Sequence, residues 1–259
     1  MNNNPIGIFD SGIGGLSILK EINRVLPNEN TIYLADNKNC PYGNKNISEI
    51  IKLSLKNASL LIEMNCKIIV IACNTATTNA IKEIRNSFAV PVVGIEPAIK
   101  PAIHNTKTNK IGVLATEMTL TSNLFNQTSK KSSDNIEIIE QIGSGLVNLI
   151  EKGSINKENT KQLLKSYIDP MLDSNIDQLV LGCTHYHFLI PIIRQIIPEK
   201  ITIQDPNKAI AIQTKKILKR RNLENSLNSN FKNKIYANGS TEIINTIINS
   251  NGKVYSLDF

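Results

Sequence analysis

The amino-acid sequence predicts an α/β protein. It would consist of two similar α/β lobes with mainly parallel sheets, related by pseudo-two-fold symmetry, with a candidate site in the cleft between them. Short apolar runs rich in β-branched residues alternate with amphipathic helical patterns, as in parallel sheets covered by helices on both faces. In addition, an apolar strand pattern followed 67 positions later by a cysteine recurs in the second half of the chain with a spacing of 72 positions.

Eight apolar runs have the length of buried strands, and they cover residues 6–9, 31–34, 68–71, 90–93, 111–114, 136–139, 178–181 and 201–203. Between them, apolar residues recur at helical spacing in residues 16–25, 48–64, 77–86, 146–151, 160–173 and 188–196. We predict a first lobe at residues 1–96, a second lobe at residues 97–206, and a C-terminal segment, residues 207–259, that returns to the first lobe. The polar stretch at residues 220–234 is predicted to be a surface loop or an insertion.

The repeat is clearest around two cysteines. The sequence IVIACNT at residues 69–75 resembles LVLGCTH at residues 179–185: an apolar strand, a small residue, a cysteine and then hydrogen-bonding side chains. Ligands bind beyond the carboxyl ends of the strands in open α/β sheets. Two facing lobes would therefore place Cys73 and Cys183 across one shared cleft.

Composition and charge narrow the class of protein. The net charge is +7, but the basic residues are spread along the chain and aromatic residues make up only 5%, so we expect no nucleic-acid binding. The apolar runs are far shorter than a membrane span, and the chain starts without a signal-peptide pattern. We therefore expect no membrane association and a cytoplasmic location, where the four cysteines would be free thiols, metal ligands or nucleophiles.

A free cysteine is often only a small buried apolar residue, but two cysteines in matched settings favour chemistry. A thiol at the start of a helix gains backbone N–H donors and the helix dipole, which lower its pKa. Inversion of a stereocentre through a carbanion needs a base on one face and an acid on the other. Cys73 and Cys183, in pseudo-symmetric lobes, would supply both.

The segment DSGIGG at residues 10–15 follows the first strand and precedes a helix. Its glycine spacing matches neither a dinucleotide-binding fingerprint nor a phosphate-binding loop. One interpretation is a tight turn whose glycines let backbone N–H groups approach an anionic ligand. The other is a strand-to-helix turn capped by Asp10 and Ser11.

The histidines and the remaining cysteines receive different interpretations. His185 is placed to act as an acid or base partner of Cys183. His185 and His187 lie two positions apart, which does not put them on one face of a helix, so we predict no metal site. The other assignments are His187 as structural, His104 as incidental, and Cys40 and Cys66 as packing or loop residues.

Four ordered segments carry a family resemblance: GIFDSGIGG at residues 7–15, PYG at 41–43, ACNTAT at 72–77 and LGCTHY at 181–186. Together they resemble the glutamate racemases of bacterial cell-wall synthesis over essentially the whole chain. The resemblance implies a two-lobed α/β enzyme that needs no cofactor, neither pyridoxal phosphate nor a metal, and that interconverts L- and D-glutamate with two thiols. Members are often homodimers, so a homodimer is implied here as well.

Carried over residue by residue, the resemblance implies that Cys73 acts on the α-proton of D-glutamate and Cys183 on that of L-glutamate. Asp10 and His185 would assist these thiols, and Glu151 matches an acidic position near the family's site. The implied substrate-binding residues are Asp10, Ser11, Tyr42, Gly43, Asn74, Thr75, Thr116, Thr119, Thr184 and His185. Residues 142–145 depart from the family where many members carry a cysteine-proline pair, which weakens only the assignment of Glu151.

Alternatives stay open within and outside this superfamily. An aspartate racemase, an arylmalonate decarboxylase or a maleate isomerase is the nearest rival, although two cysteines favour racemisation or isomerisation over decarboxylation. The preference for glutamate over aspartate depends on the contexts TATT at residues 75–78 and THYH at residues 184–187. A noncatalytic amino-acid-binding protein with the same lobes would bind glutamate and would survive the loss of either thiol.

Overall fold

The computed structural model describes residues 3–130, 135–225, 233–248 and 253–259, and within them the strands form a six-stranded and a four-stranded sheet. Every strand pairing is parallel. The N-terminal part alternates strands and helices in the order β1 (Ile6–Asp10), α1 (Leu16–Val25), β2 (Thr31–Ala35), α2 (Ile47–Glu63), β3 (Ile68–Ile71), α3 (Asn74–Ser87) and β4 (Val92–Gly94).

The middle part of the chain builds the four-stranded sheet. Its elements are α4 (Ile99–Asn105), β5 (Lys110–Ala115), α5 (Glu117–Leu120), α6 (Asn123–Lys130), β6 (Glu137–Ile142), α7 (Leu146–Glu151), α8 (Glu158–Asp173), β7 (Gln178–Gly182), α9 (Ile190–Ile196) and β8 (Thr202–Gln204). The C-terminal part adds α10 (Asn207–Arg220), β9 (Asn233–Ala237), α11 (Glu242–Ile248) and β10 (Lys253–Ser256).

The two sheets repeat one strand order. The larger sheet runs β10-β9-β2-β1-β3-β4, and the smaller runs β6-β5-β7-β8. In each sheet the first strand of the lobe lies between the second and the third, so β2-β1-β3-β4 corresponds to β6-β5-β7-β8. The predicted fold class, two similar α/β lobes with mainly parallel sheets, is confirmed.

Burial explains why the central strands appear in the sequence as continuous apolar runs. Every residue of β1 and β3 in the first lobe, and of β7 in the second, is buried, because helices cover both faces of a parallel sheet. The edge strand β6 is different, since each of its residues is either exposed or half-buried. Helix α2 starts where the Asn46 side chain accepts a hydrogen bond from the backbone N–H of Glu49 at 2.9 Å, an ordinary N-cap.

The C-terminal part lies against the N-terminal part. Helix α10 packs on α1, and β9 pairs with β2 in register from Thr31 to Ala35. Next to this contact, the buried Lys67 Nζ lies 2.6 Å from Glu29 Oε2 and donates to Asn225 Oδ1 at 2.9 Å. The backbone N–H of Asn225 donates in turn to Glu29 Oε1 at 3.0 Å, which ties the chain after α10 to the first lobe.

The predicted strands and helices are present in the structure, but the sequence missed several helices of the middle part and the elements of the C-terminal part. All eight predicted strands are present with ends shifted by at most three residues, and the predicted helix at residues 188–196 begins as a 3-10 turn, Thr184–Leu189. The apolar patterns did not predict α4, α5, α6, α10, α11, β9 and β10. The predicted loop at residues 220–234 begins at the last residue of α10 and ends in β9, so its bounds were too wide at both ends, and residues 226–232 lie outside the described residues. None of the described helices is long and apolar enough to cross a membrane.

Candidate active site

Three candidate active-site residues lie at the ends of strands. Asp10 ends β1, Cys73 follows β3 by two residues, and Cys183 directly follows β7, so all three lie at carboxyl ends of parallel strands. Cys73 is the N-cap of α3, and its sulfur accepts the backbone N–H of Ala76 at 3.5 Å. Cys183 precedes a 3-10 turn without a side-chain cap, so only Cys73 has the helix N-terminus predicted for both thiols.

Both thiols line one cleft between the lobes. Each is almost buried, with 5% of Cys73 and 6% of Cys183 exposed. The other residues that line the cleft are Ser11, Pro41, Tyr42, Gly43, Asn74, Thr75, Thr116, Val147, Thr184 and His185. The remaining predicted site residues, Asp10, Glu151 and Thr119, lie outside this lining, and each contacts one of its members.

On one side of the cleft, Asp10 supports Cys73. Asp10 is fully buried, and this burial raises the pKa of its carboxyl to about 6, although His185, the Gly15 backbone and Cys73 oppose the shift. The backbone N–H of Gly15 donates to Asp10 Oδ2 at 2.7 Å. Burial, followed by the nearby Asp10 carboxylate, raises the pKa of the Cys73 thiol well above its usual value. The thiol donates to Ser11 Oγ at 3.7 Å.

On the other side, a chain of contacts leads from Cys183 through His185 to Glu151. The sulfur lies 3.9 Å from His185 Nδ1, and His185 Nε2 lies 2.6 Å from Glu151 Oε1. Burial opposes a charge on His185, but contacts with Cys183, Cys40 and Glu151 raise its pKa well above the usual value. Burial likewise opposes ionisation of Glu151, yet the hydrogen bond from His185 holds the pKa of Glu151 below its usual value. Both shifts favour a histidinium–carboxylate pair beside the thiol.

Hydroxyl groups and one amide supply polar contacts in the cleft. Thr116 Oγ1 lies 2.9 Å from the Oγ1 atoms of both Thr75 and Thr119. Asn74 is 1% exposed, and neither atom of its amide has a hydrogen-bond partner among the described residues. A buried unpaired amide is costly, so this side chain is available to a polar ligand.

The glycine loop is a strand-to-helix turn that the Asp10 carboxylate holds through the Gly15 N–H, as one interpretation predicted for Asp10, and it also has a role that neither interpretation predicted. A Cβ atom added to Gly12 would stand 2.0 Å from Glu151 Oε1, and one added to Gly14 would stand 2.5 Å from Thr184 Oγ1 and 2.6 Å from His185 Nδ1. The backbone N–H of Ile13 donates to Glu151 Oε1 at 2.8 Å. The glycines thus allow the first lobe to approach the second, and the anion that this loop contacts is a side chain of the protein.

Two side chains make contacts that the sequence did not predict. The Tyr42 hydroxyl is directed to Asp36 and Asn57 in the first lobe, at 2.5 and 3.0 Å, so it is already satisfied without a ligand. Cys40 belongs to a loop, as predicted, but its thiol also donates to Glu151 Oε1 at 3.6 Å. The position of Cys40 directly before the PYG segment was the one signal for this contact. His187 is buried, and its Nε2 atom lies 3.1 Å from Asp205 Oδ1, away from the cysteines.

The family described as Asp/Glu/Hydantoin racemase matches residues 6–214. The chain belongs to this family. A glutamate racemase of Clostridium perfringens (strain SM101 / Type A) is 42% identical over 248 residues, which cover 95% of this chain and 92% of that protein. The resemblance to glutamate racemases is therefore confirmed, and the chain is an amino-acid racemase, an isomerase.

Two solved structures agree with this assignment. The glutamate racemase of Francisella tularensis subsp. tularensis SCHU S4 in complex with D-glutamate has a TM-score of 0.86 and 30% identity, covering 99% of this chain and 98% of that one. The Escherichia coli glutamate racemase in complex with L-glutamate and the activator UDP-MurNAc-ala has a TM-score of 0.87 and 30% identity, covering 98% of both chains. The racemase shares their two-lobed fold over nearly its full length.

Proposed function

We propose that this racemase interconverts L- and D-glutamate by proton transfer between the α-carbon and two thiols. The observation that carries the proposal is the placement of Cys73 and Cys183, which come from equivalent strands of the two lobes and line the same cleft. An amino acid held between them would present opposite faces of its α-carbon to the two sulfurs. Inversion through a planar carbanion requires this arrangement.

In the proposed turnover, one thiolate removes the α-proton, and the electron pair of the broken C–H bond moves into the α-carboxylate. The opposite thiol then donates its proton to the other face of the α-carbon. Each turnover leaves the first cysteine protonated and the second as a thiolate, so the reverse reaction uses the same groups with exchanged roles. Following the family resemblance, Cys183 acts on L-glutamate and Cys73 on D-glutamate.

The neighbouring groups support the thiolates unequally. Asp10, with its pKa raised to about 6 by burial, is ionised at neutral pH and can accept the Cys73 proton. His185, held protonated by Glu151, places a positive charge beside Cys183 and stabilises its thiolate. We propose catalytic roles for Cys73 and Cys183, with Asp10, His185 and Glu151 assisting them.

Substrate binding uses the polar groups that line the cleft. The unpaired Asn74 amide and the threonine hydroxyls are suited to carboxylate oxygens, and the almost buried thiols exclude water from the carbanion. Tyr42 contributes through its position in the cleft wall, because its hydroxyl is occupied. The proposed substrate-binding set is Asp10, Ser11, Tyr42, Gly43, Asn74, Thr75, Thr116, Thr119, Thr184 and His185.

The relatives support glutamate as the substrate, since one solved relative holds D-glutamate and another L-glutamate. We further propose that the product D-glutamate serves peptidoglycan synthesis and that the enzyme is cytoplasmic, where its four free thiols stay reduced. We also propose that the enzyme is a homodimer. In each protomer, residues 1–96 and 207–259 would form the first lobe, and residues 97–206 the second.

The decisive experiment follows the circular dichroism of pure L-glutamate, and separately of L-aspartate, with metal-free enzyme and no added cofactor. Decay of the glutamate signal to zero is expected. Decay with aspartate alone would move the specificity to aspartate, and no decay with either would favour a decarboxylase or a binding protein.

The two-thiol mechanism needs its own variants. Cys73→Ala and Cys183→Ala are each expected to abolish racemisation while the far-UV spectrum stays native, because a full turnover uses both sulfurs. Cys66→Ala is the matched control, since Cys66 is also buried but lies in the core of the first lobe. Substantial racemisation by either active-site variant would overturn the mechanism.

A further inference from the structure

The Cys40 thiol lies at the junction of the two lobes, against the carboxylate that holds His185. Its sulfur is 3.6 Å from Glu151 Oε1, and the same oxygen is 2.6 Å from His185 Nε2. Among the described residues, these three form a group whose ligand-type atoms all lie within 4.8 Å of one another. Cys40 comes from the loop after β2, whereas Glu151 ends α7 and His185 follows β7, so the group joins both lobes.

The donor set has the chemistry of a zinc site. Thiolate, imidazole and carboxylate are the ligands that Zn²⁺ prefers, at about 2.3 Å for sulfur and about 2.0–2.2 Å for nitrogen and oxygen. Tetrahedral geometry at these bond lengths separates ligand atoms by roughly 3–4 Å, which is close to the Cys40–Glu151 distance. The His185–Glu151 contact must lengthen slightly, and the two anionic ligands would neutralise the dication.

The surroundings of His185 suit a metal ligand. Zinc-bound histidines usually donate their second ring N–H to a fixed partner. Here Nδ1 faces the Cys183 sulfur at 3.9 Å, which leaves Nε2 for the ion. Burial raises the pKa of Cys40 to about 11, so binding has to release the thiol proton to solvent together with the proton shared by His185 and Glu151.

We propose that Cys40, Glu151 and His185 form a site for a thiophilic divalent cation such as Zn²⁺, and that its occupation inhibits racemisation. The inhibitory part rests on the proposed function. The ion replaces the His185 proton that faces Glu151, which removes the histidinium–carboxylate pair beside Cys183. It also fastens Cys40 of one lobe to two ligands of the other, and the buried cleft has to open for substrate and product to exchange.

The kinetic test titrates ZnCl₂ into chelator-treated enzyme and compares each variant with its own metal-free rate. Cys40→Ala is expected to require at least about tenfold more Zn²⁺ for half-inhibition, since the loss of even an outer-shell partner weakens metal binding by roughly 10–100-fold. Cys66→Ala, the control for removal of a buried thiol, is expected to match the parent. Equal sensitivity of Cys40→Ala and parent would assign the inhibition to the cleft thiols and would overturn the proposal.

A binding test separates the site from the activity. With Co²⁺ as probe, the double variant Cys73→Ala/Cys183→Ala is expected to keep a thiolate-to-cobalt charge-transfer band, and addition of Cys40→Ser to remove it. Absence of the band from the double variant would also overturn the proposal. If the double variant shows the band but the parent enzyme does not racemise glutamate, the metal site would be retained while the proposed function would be refuted.

Discussion

Glu151 Oε1 accepts hydrogen bonds from both lobes: from His185 Nε2 at 2.6 Å and from the backbone N–H of Ile13 at 2.8 Å. The first contact sets the charge state of the cleft, because a carboxylate beside a buried imidazole favours its protonated form. The second fixes the glycine loop of the first lobe against the second lobe. The Glu151 Oε1 atom therefore couples the relative position of the two lobes to the protonation of His185, which lies beside Cys183.

Replacement of Glu151 by glutamine tests the electrostatic part of this link. Glu151→Gln keeps a hydrogen-bond acceptor for Ile13 but removes the charge, so we expect the pKa of His185 to fall and kcat to drop by roughly 10²-fold, the lower end of general acid–base contributions. Because L- and D-glutamate have equal free energies, kcat/KM must fall by the same factor in both directions. Imidazole titration by NMR together with kcat measures both effects.

Glu140→Gln is the matched control, because Glu140 lies on the edge strand β6 and belongs neither to the cleft lining nor to the Glu151 contacts. It is expected to leave both quantities unchanged. An unaltered His185 titration in Glu151→Gln, or a kcat close to that of the parent, would contradict the role assigned to this carboxylate.

The sequence predicted local features well and contacts between lobes poorly. The central strands could be predicted because both of their faces are buried, which makes consecutive residues apolar. The repeat around Cys73 and Cys183 predicted the shared cleft. Strands β9 (NKIYA) and β10 (KVYS) mix polar and apolar residues. They are defined by long-range pairing, of β9 with the distant β2 and of β10 with β9. The Cys40–Glu151 contact spans 111 positions, and no local pattern encodes the docking of one lobe on the other.

The close approach of the lobes at Gly14 gives a steric prediction. Its backbone has no positive φ, so alanine is conformationally acceptable, but the new Cβ would meet Thr184 Oγ1 at 2.5 Å and the His185 backbone nitrogen at 2.8 Å. We expect Gly14→Ala to lower kcat/KM by at least about tenfold, because small misplacement of catalytic groups is costly, and to lower the melting temperature as well, because the overlapped atoms include backbone.

Gly7→Ala is the matched control for the loss of stability. Its Cβ would stand 2.8 Å from Cys66 Sγ inside the first lobe, far from the cleft lining, so overpacking of about 1–3 kcal/mol should lower the melting temperature and leave kcat/KM of the folded enzyme intact. Steady-state kinetics and thermal unfolding of both variants make the comparison. If Gly14→Ala and Gly7→Ala lost equal fractions of kcat/KM, the effect of Gly14→Ala on activity would be due to reduced stability alone.

The occupied hydroxyl of Tyr42 predicts a stability effect without a binding effect. Tyr42→Phe removes the contacts with Asp36 and Asn57, all three of which are buried, and leaves polar groups unsatisfied at a cost of about 1–3 kcal/mol. Urea unfolding measures this loss. We expect KM for glutamate to stay within about twofold of the parent value, because a removed substrate hydrogen bond would cost about 0.5–1.5 kcal/mol or more. A tenfold rise in KM would assign the hydroxyl to the substrate instead.

The raised pKa of Asp10 predicts a stability change that depends on pH. Burial raises this pKa from 3.8 to about 6 in the folded state, so between these values the folded protein holds a proton that the unfolded chain has released. Stability from this group is complete below about pH 4 and is lost as the pH rises through 6. Asp10→Asn cannot ionise. It should therefore unfold like the parent at pH 4 and be more stable at pH 7.5 by about 2–3 kcal/mol, the free energy of roughly two pKa units, although it loses activity.

Asp177→Asn is the control of opposite sign, because Asp177 accepts hydrogen bonds from Thr106 Oγ1 at 2.6 Å and from the Thr108 backbone at 3.2 Å. Although burial opposes its ionisation, these contacts hold the pKa of Asp177 below its usual value. Its carboxylate therefore stabilises the fold above about pH 4, and the asparagine variant should be less stable than the parent at pH 7.5. Urea unfolding of both variants at the two pH values decides the matter: a gain for Asp10→Asn that is equal at pH 4 and 7.5 would mean that the carboxyl is not held protonated by burial.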